Sequence, residues 1–131
     1  MYKLSSKEID MMLTKSAQDR YVYCVKRVAD WGAAWVLKDD EGFVTTSDSN
    51  GNVSLPIWPF KDYALKLKFD EWEACELKKL TINNLLKDVL PNLSDDNINI
   101  AVFMIPESLD VVTVSADKLS KDLIYERSKF G

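Results

Sequence analysis

Acidic side chains are the residues best suited to chemistry in this sequence. They gather at Asp39-Asp40-Glu41, at Asp70-Glu71 with Glu73, and at Asp95-Asp96. Carboxylates in pairs can supply the acid and the base of a hydrolase, or ligands for a metal. Each cluster, however, falls in an expected turn or helix end, where Asp and Glu are favoured by solvation and capping. The run Asp48-Ser49-Asn50-Gly51-Asn52 starts like a calcium loop. Its sixth and twelfth positions hold Val53 and Pro59, where such a loop needs Gly and Glu, so it reads as a hairpin turn. The sequence has no histidine. That removes His acid–base catalysis, the Ser-His-Asp arrangement and His metal ligation. Cys24 and Cys75 lie far apart in the sequence, and a thiolate at either would lack its usual His partner. The four glycines form neither a Walker-type nor a dinucleotide-type loop. These residues point to no catalysis, no cofactor and no metal.

Recognition is the better use of the same groups. The four tryptophans, Trp31, Trp35, Trp58 and Trp72, carry large apolar area and belong first of all to packing. One or two of them, with neighbouring acids, could instead form a hot spot for a partner. Trp72, set in Asp-Glu-Trp-Glu, is the one most expected to be partly exposed. The candidate partner surface is therefore Asp39, Asp40, Glu41, Trp58, Tyr63, Asp70, Glu71, Trp72 and Glu73. An apolar pocket around Trp58–Tyr63 would serve a small molecule instead.

The elements that must position these residues are legible in outline. Ser5 with Glu8 has capping-box spacing, followed by the stripe Ile9, Met12, Leu13. Ser16 starts a second helix, with Tyr21, Cys24, Val25 and Val28 on one face, ending near Trp31–Gly32. Ala33–Leu37 reads as a strand, 38–42 as a charged turn and Phe43–Thr46 as the return strand. Asn50–Gly51 is a hairpin signal. The alternation of Val53, Leu55 and Ile57 is a strand that Pro56 demotes to an edge or a short strand. Lys61–Trp72 reads as a short helix, and Cys75–Leu80 is ambiguous. Thr81 caps a helix carrying Ile82, Leu85, Leu86, Val89 and Leu90, stopped by Pro91. Ile98–Ile105 is nearly all apolar and reads as a central strand buried on both faces. A turn at 106–110, a strand at 111–114 and a Ser115-capped helix over 116–130 complete the chain. The expectation is one α+β domain, 1–131: a mainly antiparallel sheet of about five strands, covered by N-terminal, middle and C-terminal helices.

Composition narrows the partner. The chain has 131 residues, 47% hydrophobic and 29% charged, enough to bury a core without staples. Two cysteines in such a chain are expected to be free thiols, Cys24 as a small buried hydrophobe. Net charge is −4. Residues 1–30 balance at +2 and the remainder at −6. An acidic body disfavours nucleic acid, which requires clustered Lys and Arg, and suits a basic protein. The opening residues lack the apolar run of a signal peptide, and no stretch approaches a membrane span. A cytoplasmic, non-membrane protein is expected.

Several segments carry a family resemblance. They are Arg20-Tyr21-x-Tyr23, Lys26-x-Val28-Ala29-Asp30-Trp31, Trp35, Leu55-Pro56-Ile57-Trp58-Pro59, Tyr63-Ala64, Glu71-Trp72, Leu90-Pro91 and Ala101-Val102-Phe103. The pattern spans most of residues 16–115. It resembles a bacterial family catalogued as domain of unknown function 2750. The resemblance implies a compact cytoplasmic α+β domain and assigns no catalytic residue. This sequence departs from the family in its polar hairpin, Thr45–Asn52, and its Lys-rich strand, Leu77–Leu80.

The functional expectation is a non-enzymatic protein-binding protein. Its concrete form is an immunity protein neutralising a cognate basic toxin domain. The alternatives are a regulatory or homodimeric interaction domain and a small-molecule-binding module.

Overall fold

The computed structural model describes residues 4–66, 72–106 and 110–129. Local cap chemistry sets the helix starts. Ser5 Oγ accepts from Glu8 N–H (3.1 Å) to open α1 (Ser6–Met12), and Ser16 Oγ accepts from Asp19 N–H (3.1 Å) to open α2 (Ala17–Trp31). Gly32, at φ 74°, closes α2 in the left-handed conformation, its N–H bonded to the Val28 carbonyl at 2.8 Å. Thr81 and Ser115 cap α4 (Ile82–Asn84) and α6 (Ala116–Ser128) in the same way.

The strands form two ladders. In the first, β1 (Ala33–Asp39) lies between β2 (Gly42–Phe43) and β5 (Glu76–Thr81), antiparallel to both. In the second, the order is β3 (Thr46–Ser47), β4 (Val53–Ile57), β6 (Asn99–Val102), β7 (Val112–Val114). Here β4 and β6 run parallel, and the other pairs are antiparallel. Trp35 and Trp58 exchange both backbone hydrogen bonds, at 2.8 and 2.9 Å, and stitch the two ladders together.

The α+β class and the predominance of antiparallel pairing agree with the sequence. The expected single sheet is instead two ladders joined at one pair of tryptophans. The ambiguous segment is β5, which becomes a strand by pairing along its whole length with β1. Pro56 does not make β4 an edge. Ile57 carbonyl bonds Phe103 N–H on the β6 side, so alternation turns Pro56 the other way. There β3 reaches only Val53 and Ser54, and Trp35 takes up pairing at Trp58, so the missing N–H falls in the gap between them.

Pro91 does not end the helix before it. A π-helical turn (Leu85–Val89), in which Leu90 N–H bonds the Leu85 carbonyl, leads into α5 (Leu90–Asp95) with Pro91 in its first turn. That position needs no intrahelical N–H, and the wider turn removes the demand Pro91 could not meet. The helix expected over residues 61–72 is described as α3 (Lys61–Leu65); Leu67–Glu71 lie outside the described residues.

One apolar cluster fills the interior. Tyr21, Cys24, Val25 and Val28 of α2 and Ala116, Leu119 and Leu123 of α6 pack onto Leu55, Ile57, Ile100 and Val102 of the second ladder. Ile100 to Phe103 are buried, as the apolar run 98–105 requires, but the strand stops at Val102 because Phe103 takes φ 63°. Cys24 and Cys75 are free and buried. Burial pushes the Cys24 thiol pKa far up. Among the described residues, no helix is long and apolar enough to cross a membrane.

Candidate functional site

The acidic turn lies at the free end of the first ladder. Lys38 pairs with Phe43 and Asp39 with Gly42. Asp40 and Glu41 therefore form the tip, tightened by Glu41 N–H donating to Asp39 Oδ1 at 2.9 Å. Gly42 at φ 127° makes the return possible. Asp39, Asp40 and Glu41 are all exposed, and Phe43 is 40% exposed. Val44, by contrast, bonds the Leu37 carbonyl and is buried, which roots the hairpin in the core.

Trp72 comes to this hairpin from the chain entering β5. It packs against the core while remaining partly accessible, and its carbonyl accepts from Cys75 N–H at 3.1 Å. Next along, Glu76 is opposite Lys38 in the ladder, and their side chains form an exposed ion pair at 3.6 Å. The result is a cleft of about 400 Å³ lined by Asp39, Glu41, Phe43 and Trp72, with Cys75 at its base. Two carboxylates beside two aromatic groups can take a cationic side chain, by hydrogen bonding and by cation–π attraction.

The structure thus gathers Asp39, Glu41 and Trp72 at one cleft. Asp40 and Glu73 are exposed next to it in the chain without lining it. Asp70 and Glu71 lie outside the described residues. Trp58 and Tyr63 are corrected: they are 0% and 1% exposed and belong to the core. Trp58 Nε1 donates to the Met104 carbonyl at 2.9 Å, and the Tyr63 ring stands 4.5 Å from that of Phe103. The pairing of Trp58 with Trp35 places it between the ladders, away from the surface. Trp72 is partly exposed, as the sequence suggests, and Trp31 is 42% exposed.

Two polar arrangements have no counterpart in the sequence reading. Arg20, 2% exposed, donates Nε to the Phe103 carbonyl (3.1 Å), Nη1 to the Lys15 carbonyl (2.7 Å) and Nη2 to the Asp110 carbonyl. Burial lowers its pKa, while Asp110 acts in the opposite sense. The readable trace is position: Arg20 precedes Cys24 by four residues and shares its apolar helix face. The second arrangement is the Tyr23 hydroxyl, which donates to Glu8 and lies 3.0 Å from the Tyr63 hydroxyl. Burial, followed by the bond to Glu8, raises the Tyr23 pKa far above its ordinary value. Both arrangements hold elements together. Among the described residues, no three Cys, Asp or Glu side chains are grouped to hold a metal ion.

The profile of the family described as Protein of unknown function (DUF2750) matches residues 21–123, so the chain belongs to that family. No curated protein matches it. The matched span runs from α2 into α6 and contains the cleft.

Proposed function

We propose that this protein acts by binding another protein through the acidic and aromatic cleft at the β1–β2 hairpin. The observation that carries the reading is the convergence of Asp39, Glu41, Phe43 and Trp72 on one accessible cavity. Such a surface suits a basic partner, and the net charge of −4 favours the encounter at long range. The concrete form of this reading is an immunity protein that neutralises a basic toxin domain by occupying it. A regulatory interaction domain is its broader form.

Co-expression with the product of the immediately upstream gene, followed by affinity capture and size exclusion, tests the concrete form. A stoichiometric complex that rescues growth supports it. Absence of both complex and toxicity removes the immunity role. The cleft is tested separately on whichever partner is captured. Asp39→Lys, Glu41→Lys and Trp72→Ala should each weaken binding by about tenfold or more, while Glu41→Lys, whose side chain holds no part of the turn, leaves thermal unfolding unchanged. Full affinity in all three variants would eliminate this face as the interface.

A further inference from the structure

Among the described residues, the second ladder presents a face that no helix lines. Leu55, Ile57, Ile100 and Val102 turn inward to α2 and α6. Strand alternation therefore turns Ser54, Asn99 and Ala101 to the opposite side. There they floor a cavity of about 470 Å³, whose described lining comes only from strands, the hairpin after β3 and the segments flanking β6 and β7. That volume falls within the range of about 300–1,000 Å³ typical of small-molecule sites.

The register arranges the floor in rows. Thr46 is opposite Ser54, and Ser54 is opposite Asn99, so a hydroxyl, a hydroxyl and a carboxamide cross three strands side by side. At about 4.8 Å per strand this row spans roughly 10 Å, the width of one or two rings. The next row is Pro56, Ala101 and Thr113, flat except for its final hydroxyl.

The polar side chains of these rows are unused. Ser54 as a residue is only 8% exposed, but its hydroxyl, which makes no hydrogen bond among the described residues, is not sealed off and opens on the cavity. The same holds for the side chains of Thr46, Asn99 and Thr113. Elsewhere the hydroxyls of Ser5, Ser16, Thr81 and Ser115 cap helices, and those of Thr14 and Ser128 bond backbone carbonyls. A polar group that faces the cavity without a protein partner is left to water or to a ligand.

Charge selects the class of ligand. Among the described residues, no Lys or Arg lines the cavity. The carboxylate at its rim, Asp48, is held by Asn50 N–H and Asn52 N–H, both at 2.9 Å, and by Asn52 Nδ2 at 3.0 Å. A phosphate or carboxylate ligand would meet that fixed anion with no cation to offset it.

From the unpaired row on an open sheet face we infer that this cavity binds an uncharged ligand of one or two rings carrying hydroxyl or amide groups, of the saccharide or nucleoside kind. The test uses the full chain, isotopically labelled, with glucose, myo-inositol, uridine and adenosine as separate probes at millimolar concentration, and inorganic phosphate as the anionic control. The expected result is movement of the amide signals of Ser54, Asn99, Ala101 and Thr113 with one probe type, which also distinguishes polyol from nucleoside. Ser54→Ala should weaken that response by about tenfold, the loss of one hydrogen bond to the ligand. Thr113→Val, on an exposed edge position, does the same without disturbing the core. Silence of those amides toward all four probes overturns the inference. So does equal affinity in both variants, or a response at these amides to phosphate alone.

Discussion

Arg20 is the side chain on which the described structure makes its most concentrated polar demand. Three backbone carbonyls from separate parts of the chain, at Lys15, Phe103 and Asp110, converge on one guanidinium. Arg20→Ala leaves those acceptors without a donor and should cost about 3 kcal/mol in chemical denaturation. Arg20→Lys should restore little, because a point-charge ammonium cannot span a planar fork. Trp58→Ala, which empties a fully buried site and orphans the Met104 carbonyl, should cost about 3–5 kcal/mol. A Trp58→Phe protein that folds should bind a partner of the cleft as the native chain does, since position 58 never reaches that surface. Asp48 responds to acid. Bonds from the Asn52 side chain and backbone, and then from Asn50, lower its pKa in the fold. A lowered folded pKa contributes stability that is complete above the unfolded value, about 4, and is lost as pH falls through the folded value. The Asn50 and Asn52 amide signals should therefore titrate at lower pH in the fold than in an unstructured peptide carrying the same residues, and Asp48→Asn should abolish that titration. Cys24, buried with its thiol pKa raised, should resist alkylation until the chain unfolds.

At the level of elements, what could be read from sequence was what local chemistry decides. The caps at Ser5, Ser16, Thr81 and Ser115, the stop at Gly32 and the hairpin at Asn50–Gly51 each depend on a few neighbouring residues, and all are present. Gly32→Ala should cost about 1 kcal/mol through its left-handed φ alone, because a Cβ there meets only Ile82 Cγ2 at 3.9 Å. Thermal unfolding of the variant measures this directly. β5 was opaque because Glu-Leu-Lys-Lys-Leu-Thr has no strong strand composition and acquires its form from β1. The parallel pairing of β4 with β6 was opaque because it joins segments more than forty residues apart. The candidate site divides along the same line. Asp39 and Glu41 belong to a turn that polar composition announces. Trp58 and Tyr63 are apolar residues in an apolar segment, and only the docking of two ladders decides that they face inward. The carbonyl partners of Arg20 and the idle hydroxyl of Ser54 have no sequence signature, because both depend on which backbones meet.

Across the whole molecule, surface charge is distributed with a structural logic. The acidic hairpin marks one end of the first ladder, and the outer edge of that ladder is β5 with exposed Lys78 and Lys79. A second copy pairing antiparallel along this edge, across a two-fold axis normal to the sheet, would place a lysine opposite itself, at either Lys78 or Lys79. Lysines on an open edge guard against such pairing. Replacing both by Thr should promote self-association, and sedimentation velocity of the native and variant proteins at matched concentration measures the difference. Unchanged sedimentation would show that the edge is protected by other means. The acidic cleft and the uncharged cavity lie on different ladders, so variants of one should leave the other's binding intact.

The Arg20 junction also bears on the order in which the protein can mature during synthesis. Its guanidinium emerges from the ribosome early, within the second helix, whereas two of its three acceptors are made more than eighty residues later. Until residue 110 has left the exit tunnel, that arginine has only Lys15 and water to satisfy it, and closing the core over it is unfavourable. The helices can form as they emerge, but their sealing onto the second ladder is deferred until nearly the whole chain is available. An N-terminal fragment therefore has no stable resting state of its own, and nascent chains of this protein should depend on whatever shields α2 until synthesis passes β7.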